Sequence, residues 1–222
     1  LNRLVWNLTY EGPEPVDPDR GFRGSGPPLA PGTYTATLVA AGRELSTDFR
    51  VRGDPEVEAS QADYEARTEA ALRARDLESR LNRMIRVLGD LDGQLGDLGE
   101  AVEGKDVEGA DRILELTGEL RSDVGALQDD LRRPPPDMGY RQYPRLSEEA
   151  SRVGRSITGP QARPTEGQLE ALADIEAETT RKAAELQSLL DGPVRELNEL
   201  LEGQGRLIVD WGRTEQISQR SR

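Results

Sequence analysis

Carboxylates and hydroxyls are the main side chains of this sequence that could carry out chemistry. The chain has 222 residues, of which 42 are Asp or Glu, and it contains no Cys and no His. Thiol nucleophiles, imidazole bases, disulfides and metal sites built on Cys or His are therefore excluded. Neighbouring carboxylates such as Glu148 and Glu149 could in principle serve as acid and base in glycoside hydrolysis. Adjacent helical residues point to different faces, so we interpret such pairs as a solvated surface.

Two further patterns resemble ligand-binding loops only in part. Asp90-x-Asp92-Gly93, followed by Asp97, matches the beginning of a calcium loop but lacks its remaining oxygen ligands and terminal Glu. The glycines between Gly21 and Gly26 lack the strand, helix and Lys of a phosphate-binding loop. We therefore predict no catalytic, cofactor-binding or metal-binding residue, and no enzymatic activity for this chain.

Composition narrows the possible partners. The formal net charge is −13, whereas nucleic-acid binding needs clustered cations. The apolar stretch from Thr33 to Gly42 is far shorter than the ~20 residues of a membrane-spanning helix. We expect neither nucleic acid nor a membrane span. The sequence opens at Leu1 with a strand-like pattern and no initiator Met, which favours a fragment or a processed product.

The first quarter of the sequence has the pattern of β-strands. Leu4–Tyr10 alternates apolar and polar residues and predicts a half-buried strand, and residues 11–32, rich in Gly and Pro, predict a long loop. Thr33–Ala40 and Leu45–Val51, separated by Ala41-Gly42, predict a β-hairpin. Three strands cannot close a core of their own, so we expect further strands or a covering layer to pack on them.

Helical periodicity begins after residue 55. Ser60 and Asp63 resemble a capping box and predict a helix that starts near Ser60 or Gln61. Two heptad seams follow, comprising Leu77, Leu81, Met84, Leu88, Leu91, Leu95, Leu98 and Val102, and then Ala110, Ile113, Thr117, Leu120, Val124, Leu127 and Leu131. The short break between them predicts an antiparallel hairpin over about 60–133. We favour burial of both seams within one chain, and a dimeric coiled coil is the alternative.

Further helices are predicted over about 145–202. Pro134-Pro135-Pro136 ends the second seam, and Gly192-Pro193 interrupts a later helix. Leu207–Trp211 is apolar enough to dock as a strand or an irregular segment. The predicted fold class is α+β, mostly α, with strands in residues 1–54, an antiparallel helical bundle in 55–210 and a tail in 211–222.

Several short motifs, taken in order and spacing, resemble the terminal region of the bacterial sortilin-like propeller proteins with BNR repeats. The motifs extend over most of residues 1–202. They are Leu1-Asn2-Arg3-Leu4-Val5-Trp6-Asn7-Leu8, Ala30-Pro31-Gly32-Thr33-Tyr34-Thr35-Ala36-Thr37-Leu38, Val51-x-x-Asp54-Pro55, Tyr143-Pro144, Ala162-Arg163-Pro164-Thr165 and Pro193-x-x-x-Leu197-Asn198-x-Leu200-Leu201.

This resemblance implies a secreted or periplasmic parent protein whose β-propeller and β-sandwich domains lie upstream and are partners of this chain. Residues 1–54 would then be the last strands, about three, of an Ig-like β-sandwich. Members are often labelled glycosyl hydrolases or sialidase-like proteins, but no active-site residue of the family maps onto this sequence.

Three functions remain as hypotheses. The leading one is a non-catalytic accessory module for docking, spacing or assembly. The alternatives are a self-assembling subunit that exchanges strands or forms coiled coils, and a part of a carbohydrate-active hydrolase. The expected interaction residues are aromatic residues of the strands and leucines of the seams, namely Trp6, Tyr10, Tyr34, Phe49, Leu88, Leu95, Leu120 and Leu127.

Overall fold

The protein is mostly helical, with two small antiparallel sheets, which confirms the predicted α+β class. The computed structural model describes residues 5–20, 24–104, 108–134 and 143–201. Its strands and helices are β1 (Thr9–Glu11), β2 (Ser25–Pro28), β3 (Gly32–Ala40), β4 (Arg43–Val51), α1 (Gln61–Val102), α2 (Ala110–Leu131), α3 (Leu146–Thr158), α4 (Glu166–Leu189) and α5 (Arg195–Leu200). The predictions for Leu1–Leu4, Leu207–Trp211 and the tail fall outside the described residues.

Side-chain caps determine where the two longest helices begin. The Ser60 hydroxyl accepts a hydrogen bond from the Asp63 amide at 3.2 Å, and the Asp63 carboxylate accepts one from the Ser60 amide at 3.0 Å. Thr165 and Gln168 form the same reciprocal pair at the start of α4. Each box satisfies two backbone donors that would otherwise lack partners. The predicted start of α1 is confirmed.

Helix α1 is the longest element and packs against α2 and α3 in turn. Its 42 residues span about 63 Å at 1.5 Å per residue. Helix α2 runs antiparallel to its C-terminal half, where Arg121 lies 3.1 Å from Asp92. Helix α3 runs antiparallel to its N-terminal half, where the Arg67 guanidinium donates to the Thr158 carbonyl at 2.7 Å. Two short helices thus share the apolar seam of one long helix.

Helices α4 and α5 follow one another along the bundle as its third helical layer and run parallel to α1. Arg73 of α1 lies 2.8 Å from Glu176, and Arg112 of α2 lies 2.7 Å from Glu196. Between α4 and α5 the chain forms a π-helical turn, Leu190–Val194, which contains Pro193. A proline lacks the N–H of the regular ladder, so the predicted interruption at this position is confirmed.

The heptad seams meet inside this three-helix bundle. The fully buried large side chains are Leu81, Met84, Leu88, Leu91, Leu95, Ile113, Leu120, Leu131, Ile157, Leu172, Leu186 and Leu197. Both seams therefore contact helices of their own chain, as the favoured prediction stated. None of the described helices combines the length and the apolar character needed to cross a membrane.

The chain before residue 32 differs from its prediction in two ways. The strand expected over Leu4–Tyr10 is reduced to β1, because Leu8 adopts a left-handed backbone conformation with φ of 58° that interrupts the extended chain. The loop expected over residues 11–32 contains β2, which pairs antiparallel with β1, and a 3-10 turn at Pro18–Arg20. The described residues therefore form two two-stranded sheets in place of one three-stranded sheet.

Two glycines allow β1 and β2 to approach closely. A Cβ atom at Gly12 would lie 2.0 Å from the Gly24 carbonyl oxygen, and one at Gly26 would lie 2.1 Å from the Glu11 carbonyl oxygen. Only glycine permits this backbone contact. Strand β2 can contain two prolines because it pairs with one strand only, β1, and over only a few residues.

Glu14 attaches this part of the chain to α1. Its amide donates to the Ser79 hydroxyl at 3.1 Å, and its carbonyl accepts from the Asn82 side chain at 2.7 Å. Its carboxylate lies 3.0 Å from the guanidinium of Arg83, whose side chain is 7% exposed. Because a buried cation needs a partner, this carboxylate supports the middle of α1 as well as the loop.

Replacement of Glu14 with Gln should lower the free energy of unfolding by about 1–2 kcal/mol, because it leaves the Arg83 guanidinium without its charged partner. Urea unfolding would measure this loss. Glu199→Gln is the control, since Glu199 and Arg195 are both exposed and lie 3.9 Å apart. The control should change stability by less than about 0.5 kcal/mol. Equal effects from the two substitutions would contradict the role given to Glu14.

Exposed helical glycines should be sites of easy stabilisation. A Cβ atom at Gly93 in α1 or at Gly118 in α2 would meet no atom within 4 Å. Gly93→Ala and Gly118→Ala should therefore each raise the free energy of unfolding by about 0.5–1 kcal/mol. Gly109→Ala is the contrasting variant and should destabilise, because Gly109 has φ of 74°. Thermal or denaturant unfolding of the three variants would show whether the signs differ.

Candidate interaction surface

Strands β3 and β4 form a regular hairpin in which nine residues of each strand are paired. The two-residue turn Ala41-Gly42 has φ of 50° and 72°, the pattern of a type I′ turn, which matches the twist of the flanking strands. Leu38 lies opposite Leu45, and Tyr34 lies opposite Phe49. The predicted hairpin is confirmed, and its register determines which side chains share a face.

One face of the hairpin is polar and is held by cross-strand hydrogen bonds. Thr35 donates to the Asp48 carboxylate at 2.7 Å, and the Thr37 and Ser46 hydroxyls lie 3.0 Å apart. These pairs stabilise the two strands without any covering layer, because their groups also face water. This face of the hairpin therefore needs no further partner.

The opposite face is apolar and has an aromatic cluster near the base of the hairpin. Phe49 stacks on Tyr34 with ring centroids 6.1 Å apart, and Trp6 meets the Phe49 ring edge to face at 5.8 Å. The Trp6 indole N–H donates to the Thr9 carbonyl at 2.9 Å, which fixes the ring over the hairpin. The segment before β1 thus covers the base of the apolar face.

The tip of the same face is uncovered. Leu38 and Leu45, which form a direct cross-strand pair, are 61% and 67% exposed. Val39, on the polar face beside them, is 71% exposed. Scattered exposed apolar residues are common, but this cross-strand leucine pair shares a face with the aromatic cluster, from which only the Ala36–Thr47 pair separates it. We call Trp6, Tyr34, Leu38, Leu45 and Phe49 the hairpin patch.

Tyr34 links the hairpin patch to the preceding loop. Its hydroxyl donates to the Ala30 carbonyl at 2.7 Å. Partial burial, with a smaller contribution from the charge of Tyr10, raises the pKa of Tyr34 above its ordinary value. The folded state therefore favours the neutral phenol, and the stability that it contributes is present at neutral pH and is lost as the pH rises through the raised pKa.

The titration of Tyr34 can be observed directly. The chemical shift of its ring Cζ should change with a midpoint above the ordinary tyrosine value near pH 10. Tyr10→Phe should lower this midpoint, because it removes the second negative charge, and should leave the hydrogen bond to Ala30 in place. A midpoint at or below the value of free tyrosine would show that the phenol is not held in this environment.

The predicted interaction residues separate into two groups. Trp6, Tyr34 and Phe49 come together in the hairpin patch, and Tyr10 lies partly buried on β1. The leucines of the seams lie in the bundle core, where none is more than 4% exposed, namely Leu88, Leu95, Leu120 and Leu127. These core leucines contact other helices of this chain and are not exposed to a partner.

Sequence reasoning missed Leu38 and Leu45 as surface residues. The signal was available, because a two-residue turn at Ala41-Gly42 places residues 38 and 45 directly opposite one another. The sequence does not reveal that the helical bundle leaves this pair exposed.

The acidic residues considered for catalysis or metal binding have structural contacts. Glu148 caps α3 by accepting from the Arg145 amide at 2.9 Å, and Glu149 pairs with Arg152. Another pair of neighbouring carboxylates, Asp129-Asp130, lies at the end of α2, where the Lys182 ammonium is 2.8 Å from the Asp130 carboxylate. Among the described residues, no group of three or more acidic side chains could hold a metal ion.

The calcium-like residues also lie in regular structure. Asp90, Asp92 and Asp97 belong to α1, and Asp92 pairs with Arg121. Among the described carboxylates, Asp63 is the one whose pKa is clearly lowered, first by its hydrogen bond from the Ser60 side chain. A lowered pKa suits a helix cap and is the opposite of what a general acid needs.

A cleft of about 370 Å³ lies where the end of α2 meets α3 and α1. It is lined by Glu78, Arg133, Ser147, Glu148 and other polar residues. Glu78 accepts a hydrogen bond from Ser151, and Arg133 lies 3.6 Å from Glu148. These polar groups bind one another, so we interpret the cleft as the joint between α2 and α3.

No protein-family model, curated protein or solved structure matches this chain. The hairpin patch is therefore identified as the candidate functional surface from its geometry alone.

Proposed function

We propose that this chain is a non-catalytic accessory module that docks through its hairpin patch, with the helical bundle as a spacer. The main support for this proposal is that Leu38 and Leu45 form a paired, exposed apolar surface on the same face as the aromatic cluster. Two-stranded hairpins are marginally stable alone and gain stability when a further layer covers their apolar face. A β-layer of another domain is the partner that fits such a face.

The proposed setting is the C-terminal end of a larger secreted or periplasmic propeller protein, whose upstream domains would supply that β-layer. The order of motifs that resembles the sortilin-like proteins supports this setting, and so does an apolar face that lacks a cover within the described chain. The bundle extends for about 60 Å and buries its own seams, which suits a spacer.

The absence of enzymatic activity is part of the same proposal. It is supported by the use of the candidate carboxylates as caps and ion-pair partners, as with Glu148 at α3 and Asp92 beside Arg121. Such contacts occupy the carboxylates as structural partners and do not bring them together at a shared reaction centre.

Substitutions in the hairpin show whether the hairpin patch is covered by another domain in the native polypeptide. At concentrations where the isolated chain is monomeric, Leu38→Ser and Leu45→Ser should change its unfolding free energy by less than about 0.5 kcal/mol, because both residues are exposed. In the intact native polypeptide, where the patch would be covered, each should cost about 2 kcal/mol. Val39→Ser, on the opposite face, is the matched control and should be neutral in both.

The native polypeptide for this comparison can be captured from its source with an antibody to the bundle. Its mass should be several times 24.4 kDa. A native mass of 24.4 kDa, or leucine variants with the same small effect in both forms, would contradict the docking proposal.

A further inference from the structure

The two edges of the hairpin differ in charge. Strand β3 has nine residues, Gly32–Ala40, with no charged side chain and no proline. Strand β4 carries four charged residues, Arg43, Glu44, Asp48 and Arg50. Each strand pairs with the other and leaves its second edge open among the described residues. Charges and prolines protect open edges from pairing, so β4 is protected and β3 is not.

The turn determines which backbone groups of β3 point to its open edge. A two-residue turn makes the flanking pair, Ala40 and Arg43, a hydrogen-bonded pair, and pairs alternate from there along an antiparallel ladder. The even-numbered residues of β3 therefore bond to β4. The odd-numbered residues direct their N–H and C=O groups outwards, namely Thr33, Thr35, Thr37 and Val39.

These outward groups are complementary to a second copy of themselves. If two β3 strands lie antiparallel with Ala36 opposite Ala36, then Thr33 faces Val39 and Thr35 faces Thr37. All of these are outward residues, so every pair can exchange two hydrogen bonds. On the apolar face the same register places Tyr34 opposite Leu38, an aromatic and aliphatic pair of the kind that stabilises sheets.

We infer that β3 binds β3 of a second copy of this chain in this register, with a two-fold axis through Ala36. The result is a four-stranded sheet in the order β4, β3, β3, β4. This isologous contact ends at two copies. The sheet cannot extend further, because both of its outer strands are the charged β4 strands. The inference goes beyond the proposed function, since it concerns the edge of the hairpin and not its apolar face.

The charge distribution favours association through the hairpin over association through the bundle. The protein has a net charge of −13, but the hairpin carries two arginines and two acidic residues, so its own charge is zero. The base of each hairpin adjoins α1, where the Gln61 side chain donates to the Pro31 carbonyl at 2.9 Å. Antiparallel pairing places the two bases, and hence the two acidic bundles, at opposite ends of the joint sheet. Like-charge repulsion between them is then reduced.

A single cysteine tests the register. The chain has no native Cys, so Ala36→Cys introduces one thiol at the proposed two-fold axis. Opposed residues of a non-hydrogen-bonded pair are about 4.5 Å apart between Cα atoms, a distance that a disulfide can bridge. Thr47→Cys is the matched control, because Thr47 is the partner of Ala36 on β4 and lies away from the axis. Under mild oxidation, Ala36→Cys should form disulfide dimers at least about tenfold faster than Thr47→Cys.

Light scattering on the unmodified chain tests the dimer itself. The mass should rise with concentration towards twice 24.4 kDa. Thr37→Pro removes an outward N–H from β3 and should keep the protein monomeric. Ser46→Pro is the matched control on β4, because Ser46 lies opposite Thr37 and shares the same hydroxyl contact of 3.0 Å. It should still dimerise.

Four results would overturn the inference: a monomer at every concentration, a dimer that survives Thr37→Pro, a dimer lost equally in both proline variants, or equal cross-linking of the two cysteine variants. These experiments use the isolated chain, whereas the proposed docking is tested in the native polypeptide. Failure of one is therefore distinguishable from failure of the other.

Discussion

The structure depends on the burial of the unbroken apolar seam of α1. Its buried residues, mainly alanines before Leu77 and leucines after it, repeat along a helix of about 63 Å, and no shorter helix can cover such a seam alone. Two antiparallel helices, α2 and α3, therefore meet end to end along it, and α4 and α5 fill the remaining groove. The joint at Arg133 and Glu148 and the π-helical turn at Pro193 are where the chain adjusts to this arrangement.

The β part of the chain is held together by different forces. Its attachment to the bundle includes polar contacts around Glu14, a hydrogen bond from Arg75 to the Glu11 carbonyl and one from Gln61 to the Pro31 carbonyl. Its apolar residues contact one another at the base of the hairpin and are left exposed at the tip. The bundle covers its own apolar seams and the hairpin leaves apolar residues exposed, and for this reason we assign the proposed binding function to the hairpin.

The features that could be predicted from the sequence are those that depend on local spacing. The cap at Ser60 and Asp63, the seams of the first two long helices and the β3–β4 hairpin each arise from residues near one another in the chain. The pairing of β1 with β2 could not be predicted, since it depends on backbone contact at Gly12 and Gly26 and on the left-handed conformation of Leu8. The exposure of the Leu38 and Leu45 pair depends on what the bundle leaves uncovered, which is a property of the whole fold.

The distribution of charge separates the two parts further. An acidic bundle repels other copies of itself at distances up to about a Debye length, whereas a neutral hairpin does not. The polar face of the hairpin is satisfied by contacts such as that between Thr35 and Asp48, so it gains little from a partner. The apolar face and the uncharged β3 edge gain most from being covered, because water solvates apolar side chains poorly and an open strand edge offers unpaired backbone groups. The proposed association through the hairpin therefore rests on the same distribution of apolar and charged residues that makes the bundle self-sufficient.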